Sequence, residues 1–205
     1  MTAARGGRAG GWLRPPGHRH LRTFASLSAA TQGEALLSFL GTVALIRITG
    51  TDVSGRVFFA QALAGVWFML WDPRLEDAAQ RFAPVLQAAA RGRGTWLFVR
   101  LVRLDTAIGL FATALGAGGV ALARAIGWLD PEQATYVLLA LLSAGIAAPI
   151  GTAGAGFAIA GRLGSLGVLR SAAAAVSFLA TVTALMAGGP VAYLAAGALT
   201  GLVTT

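Results

Sequence analysis

Residues 104–126 read LDTAIGLFATALGAGGVALARAI, an apolar run whose only charges, Asp105 and Arg124, lie near its two ends. An α-helix rising ~1.5 Å per residue needs about 20 such residues to cross a hydrocarbon layer. Gly109, Ala112, Gly116 and Gly119 recur three or four apart along it, a spacing that lets helices approach closely in lipid. Arg100 and Arg103 stand just before it.

Five more runs flank this one, at 28–48 (densest over 36–46), 55–71, 135–160, 168–187 and 191–205. The runs are too many and too long for one soluble core, so the expected fold is an all-α integral membrane protein, a bundle of about six transmembrane helices over residues 23–205. The second run is short and is expected to begin nearer Thr51 or to extend past Trp71. The last apolar stretch, 191–203, would reach only ~20 Å and reads as a helix cut from a larger protein. In the fourth run Pro149 lacks an amide hydrogen and clashes with the carbonyl of Gly145, so a kink is expected there.

Composition agrees. Of 205 residues 56% are hydrophobic and 12% charged, about half the charged share of a soluble domain. All 16 basic residues are arginines. Thirteen fall in the amino-terminal tail and in alternate links, whereas the remaining links hold only Arg47, Arg56 and Arg124. This is the positive-inside pattern, and it predicts a cytoplasmic amino terminus in the inner (plasma) membrane. The net charge of +8 does not indicate nucleic acid, because the arginines flank apolar runs instead of forming a basic face. Residues 1–22, rich in Arg, Gly and Pro and without an apolar core, read as a disordered cytosolic tail able to touch anionic lipid headgroups. The external links are short. The inner segment 72–94 reads as an amphipathic interfacial helix, bent at Pro84, with Asp72 and Pro73 as cap and first position and Glu76 and Asp77 in its first turn.

No constellation suited to catalysis is present, and no cofactor or metal is implied. There is no cysteine, and His18 and His20 share only the tail. The glycines of 151–156 lie inside an apolar run and do not form a phosphate loop. The informative side chains are polar groups at membrane depth. Glu34 lies about two turns into the first run, where an unpaired carboxylate costs several kcal/mol. Gln61 can hydrogen-bond between helices, and Arg100, Arg103 and Asp105 cluster where the third run begins, with Asp105 expected to pair with a neighbouring arginine. The arginines could equally snorkel to lipid phosphates.

Three stretches carry a resemblance to a known family: 42–50 (TVALIRITG) followed by 53–57 (VSGRV), 71–82 (WDPRLEDAAQRF), and 160–167 (AGRLGSLG). Together they resemble the amino-terminal half of bacterial polysaccharide flippases, the Wzx-like branch of the MOP exporter superfamily. The family's usual glycine after the aspartate is replaced here by Pro73-Arg74, and the resemblance covers one lobe of a protein that ordinarily has two. It implies a half-length or truncated flippase that moves an anionic, lipid-linked oligosaccharide between leaflets, acting with a second lobe or as a homodimer. Glu34, Gln61, Arg81, Arg100, Arg103 and Asp105 are the expected substrate-binding residues. Two other functions fit the same features: a non-transporting membrane scaffold of envelope glycan biosynthesis, and a multidrug exporter of the same superfamily, for which only Glu34 offers a deep proton or cation site.

Overall fold

The structure, a computed structural model, describes residues 18–90, 92–160 and 162–204. Its regular structure among these residues is helical: α1 (His18–Leu70), α2 (Leu75–Ala89), α3 (Arg93–Ala125), α4 (Pro131–Ala147), α5 (Ile150–Ile159) and α6 (Leu163–Thr204). Four stretches are long and apolar enough to cross a membrane: Leu27–Leu70, Arg93–Ala125, Pro131–Ile159 and Gly164–Thr200.

The distribution of side chains is that of a molecule solvated by lipid. Ten of the eighteen buried apolar residues are alanines, while Phe39, Val66, Met69, Leu110, Leu122 and Met186 project outward. Without a hydrophobic drive between helices in lipid, small residues at the contacts allow close approach and gain dispersion energy.

Helix α1 has 53 residues and would measure about 80 Å if straight. It does not run straight. At Gly50 the backbone takes φ 80°, ψ 172°, a region open essentially to glycine alone. The arms on either side fold back together, so that Leu45 and Val57 share one core cluster. Helix α6 repeats the device at Gly189 (φ 72°, ψ −159°), and Pro190 starts the returning arm. Ser177 and Thr200, about 35 Å apart along a continuous helix, have their hydroxyl oxygens 3.0 Å apart. Both reversals fall in the short links expected on the external side.

Other breaks show how local chemistry sets the frame. Pro149 separates α4 from α5, where its missing amide ends the ladder. Asp130 caps α4, accepting from the Gln133 amide at 2.7 Å, with Pro131 at the first helical position. Arg56 on the returning arm of α1 reaches Asp52 (3.6 Å), Asp130 (3.7 Å) and Glu132 (3.4 Å), which ties that arm to the start of α4.

Several expectations change. Asp72 does not cap α2: its carboxylate accepts from the Arg74 amide at 2.9 Å in a turn, Pro73 stays outside the helix, and α2 begins at Leu75. Helix α3 starts at Arg93, well before the apolar run, and Trp96, Leu97, Phe98, Val99, Leu101 and Val102 carry apolar surface between its arginines. Helix α1 is already formed at His18, inside the stretch expected to be a disordered tail, and residues 1–17 of that tail lie outside the described residues. Of the small residues on α3, Gly119 meets nothing, but Gly109 and Gly116 make real close contacts. A Cβ on Gly109 would sit 2.9 Å from Ala148, and one on Gly145 would collide with the Thr113 hydroxyl. Gly145→Val is therefore expected to cost about 1–3 kcal/mol by overpacking the α3–α4 contact. Thermal unfolding in detergent, compared with Gly119→Val as an unaffected control, checks this.

The core gathers at the end of the bundle that carries the reversals. Leu45, Val57, Val120, Tyr136, Val137, Leu185 and Leu194 fill it. Toward the opposite end a hollow lies between α1, α2, α4, α5 and α6.

Candidate functional site

Two contiguous cavities form the hollow. The deeper one, about 500 Å³, is lined by Ser38, Thr42, Gln61, Ser143, Thr181 and Tyr193 among others. The wider one, about 950 Å³, continues toward Glu76, Gln80 and the α5 backbone. Glu34, Ser143, Ser177 and Gly197 line both, so the two form one cleft. The Thr42 and Thr181 hydroxyls donate to the carbonyls of Ser38 and Ser177 one turn back, and with Ser38, Gln61, Ser143 and Ser177 they give the cleft a polar lining. Within it, Gln61 on the returning arm of α1 and Tyr193 on the returning arm of α6 line the same wall.

Glu34 is held by Arg170. The guanidinium donates Nε to Oε1 at 3.0 Å and Nη2 to Oε2 at 2.9 Å, a bidentate pair between the first arms of α1 and α6. Glu34 lies sixteen residues before Gly50, about 24 Å along its helix, so the pair spans the cleft near its open end. The side chains are 25% and 52% exposed, so water screens the pair and it adds little to stability. What it does is occupy the charge of Arg170, which lines the wider part of the cleft.

A third cavity, about 400 Å³, opens between α3, α5 and the α1–α2 turn, lined by Trp71, Asp72, Glu76, Asp105 and Thr152. Asp105 is buried and accepts from the Thr152 hydroxyl at 2.5 Å. The arginine expected beside Asp105 is absent from it. Arg100 and Arg103 lie on the far side of α3, away from the buried face of Gly94, Asp105, Gly109 and Ala112. Asp105→Asn retains an acceptor for Thr152 and is expected to be tolerated. Asp105→Leu, which removes it, is expected to cost about 1–3 kcal/mol, checked by the yield and unfolding temperature of the two variants.

Of the six residues expected to bind substrate, the structure brings Glu34 and Gln61 to the main cleft and Asp105 to the smaller cavity. Arg81, Arg100 and Arg103 line none of the three cavities. Arg81 stands 5.6 Å from the Phe82 ring centroid and Arg100 4.1 Å from that of Trp96, on outward faces. The residue missed by sequence reasoning is Arg170, which the structure places in the wall of the cleft. Its position two turns into α6, on a run otherwise apolar, was the available signal.

No family model, curated protein or solved structure matches this chain.

Proposed function

We propose that the chain is a transport lobe that crosses the membrane six times, each of α1 and α6 making two crossings about its glycine, with the amino terminus in the cytoplasm. Its substrate is a lipid-linked, anionic oligosaccharide, which it moves from the inner to the outer leaflet together with a second lobe or a second copy of itself. The observation that carries this reading is the shape and lining of the bundle. It is packed at the reversal end and hollow toward the arginine-rich end, and the polar side chains of its spans converge on the hollow.

In this reading the open end faces the cytosol, where such a substrate is made. The hydroxyl and amide walls (Ser38, Thr42, Gln61, Ser143, Ser177, Thr181) suit sugar hydroxyls. Arg170 receives a phosphate in place of the Glu34 carboxylate, since both present paired oxygens to its planar fork. Exchange of one bidentate partner for another leaves no buried charge unpaired, and Glu34, once released, faces the hydrated cleft. The arms of α1 and α6 that the pair had joined are then free to move apart.

A second reading has one specific observation in its favour. Glu34, Asp72, Glu76 and Asp105 line the three cavities against the single Arg170, an acidic balance better suited to a cationic substrate, as in a drug exporter. Proteoliposomes separate the two. Fluorescent lipid-linked oligosaccharide should redistribute between leaflets faster with the protein than in empty liposomes, and a lipophilic cation should not be accumulated. Cation transport without oligosaccharide flipping would reverse the assignment, and neither activity would leave the scaffold role.

A further inference from the structure

Helix α3 is 33 residues long, about 50 Å, against a hydrocarbon layer of about 30 Å. The surplus is at its start, where residues 93–103 precede the apolar run. At 3.6 residues per turn Arg93, Trp96, Arg100 and Arg103 fall on one side of this surplus, opposite the face that buries Gly94, Asp105 and Gly109. All four are exposed, Trp96 by 56%.

Three arginines in one stripe repel one another unless anions lie nearby. Among the described residues no carboxylate ion-pairs with any of them: Glu34 is taken by Arg170, Asp52, Asp130 and Glu132 gather round Arg56 at the other end, Asp72, Glu76 and Asp105 line a cavity, and Asp77 lies in the first turn of α2. The stripe is about 15 Å long and directly continues the lipid-facing surface of Leu104, Leu110 and Phe111. It therefore lies at the depth of the headgroups. Trp96 is an aromatic suited to that layer, and Arg100 stacked on its ring is oriented before any ligand arrives.

We infer that Arg93, Arg100 and Arg103, ordered about Trp96, form a binding site for the phosphate headgroup of an anionic phospholipid in the leaflet at this end of the bundle. The anionic headgroup supplies the missing negative charge, and the acyl chains lie along Leu104, Leu110 and Phe111. The inference requires that the chain cross a membrane; it does not require transport.

The full-length chain, released from membranes in mild detergent, is titrated with phosphatidylglycerol or phosphatidylcholine and bound lipid is counted by native mass spectrometry. Phosphatidylglycerol should bind at least tenfold tighter, and high salt should weaken it. R100Q/R103Q should lower that affinity by roughly thirtyfold, from two arginine–headgroup contacts. R47Q/R124Q, which removes two arginines nearer the other end, should leave it unchanged, and R100K/R103K should keep most of it. Equal binding of the two lipids by the unaltered chain overturns the proposal whether or not any variant folds. So does equal loss in the two glutamine pairs. Because no step measures flipping, a failed flipping assay leaves this result standing, and a failed lipid titration leaves the transport reading standing.

Discussion

Arg170→Ala is expected to lower oligosaccharide flipping by one to two orders of magnitude while the protein still folds. A bidentate contact between guanidinium and phosphate is charge-assisted; in the hydrated cleft water replaces part of it, and a net loss equal to one hydrogen bond to a charged group, about 1.5–3 kcal/mol, is roughly tenfold to a hundredfold. Stability should change little, because the Glu34–Arg170 pair is partly solvated. The companion variant has the opposite sign. Glu34→Gln leaves Arg170 unopposed, so an anionic substrate no longer displaces a carboxylate and its apparent affinity should rise. A cation exporter would invert both effects: Glu34→Gln would lose transport and Arg170→Ala would retain it. Initial rates of the two variants over a range of substrate concentration, in the same proteoliposomes, therefore decide the charge of the substrate. If Arg170→Ala flips oligosaccharide at the unaltered rate, Arg170 is not the phosphate acceptor.

Gly50→Ala and Gly189→Ala are each expected to lower the unfolding temperature through backbone strain alone. Neither added Cβ meets another atom within 4 Å, so no collision is involved. The cost comes from the backbone, held at positive φ with extended ψ, and is about 1–3 kcal/mol per site. For a chain of this size that corresponds to a fall of roughly 2–12 °C in unfolding temperature. The two sites lie in separate hairpins, so the double variant should show close to the sum. Gly154→Ala, also in open space but inside α5 with ordinary helical geometry, serves as the control and should be neutral or slightly stabilising. If Gly50→Ala unfolds no earlier than Gly154→Ala, the reversal is not made at Gly50.

Much of the frame could be read from local chemistry. The reversals at Gly50 and Gly189 lie in links marked by glycine between apolar runs, and the break at Pro149 follows from one missing amide hydrogen. Features governed by distant partners could not be read that way. The pairing of Glu34 with Arg170 joins residues 136 apart, and only the packing of α1 on α6 brings them together. Asp105 stood within five residues of two arginines, yet helical periodicity sends it to the opposite face, and Thr152 on α5 becomes its partner. The start of α3 was hidden because Arg93, Arg100 and Arg103 interrupt the apolar residues of 93–103, which lowers the hydropathy there without preventing a helix. The inner arginines looked like one cluster; the structure divides them between the cleft (Arg170) and the outer surface (Arg100, Arg103).

That the cleft opens toward the end carrying Arg93 and Arg162 is the central proposal, and thiol accessibility tests it directly. The chain has no cysteine, so a single introduced one reports alone. Ser143→Cys and Ser177→Cys, in the wall of the cleft, should react with a membrane-impermeant thiol reagent added from the side that carries Arg93 and Arg162, and not from the side of Gly50 and Gly189. Leu199→Cys, exposed on the apolar surface, should stay unreactive from both sides. Reaction of the wall cysteines only from the reversal side, or from neither side, would contradict the account.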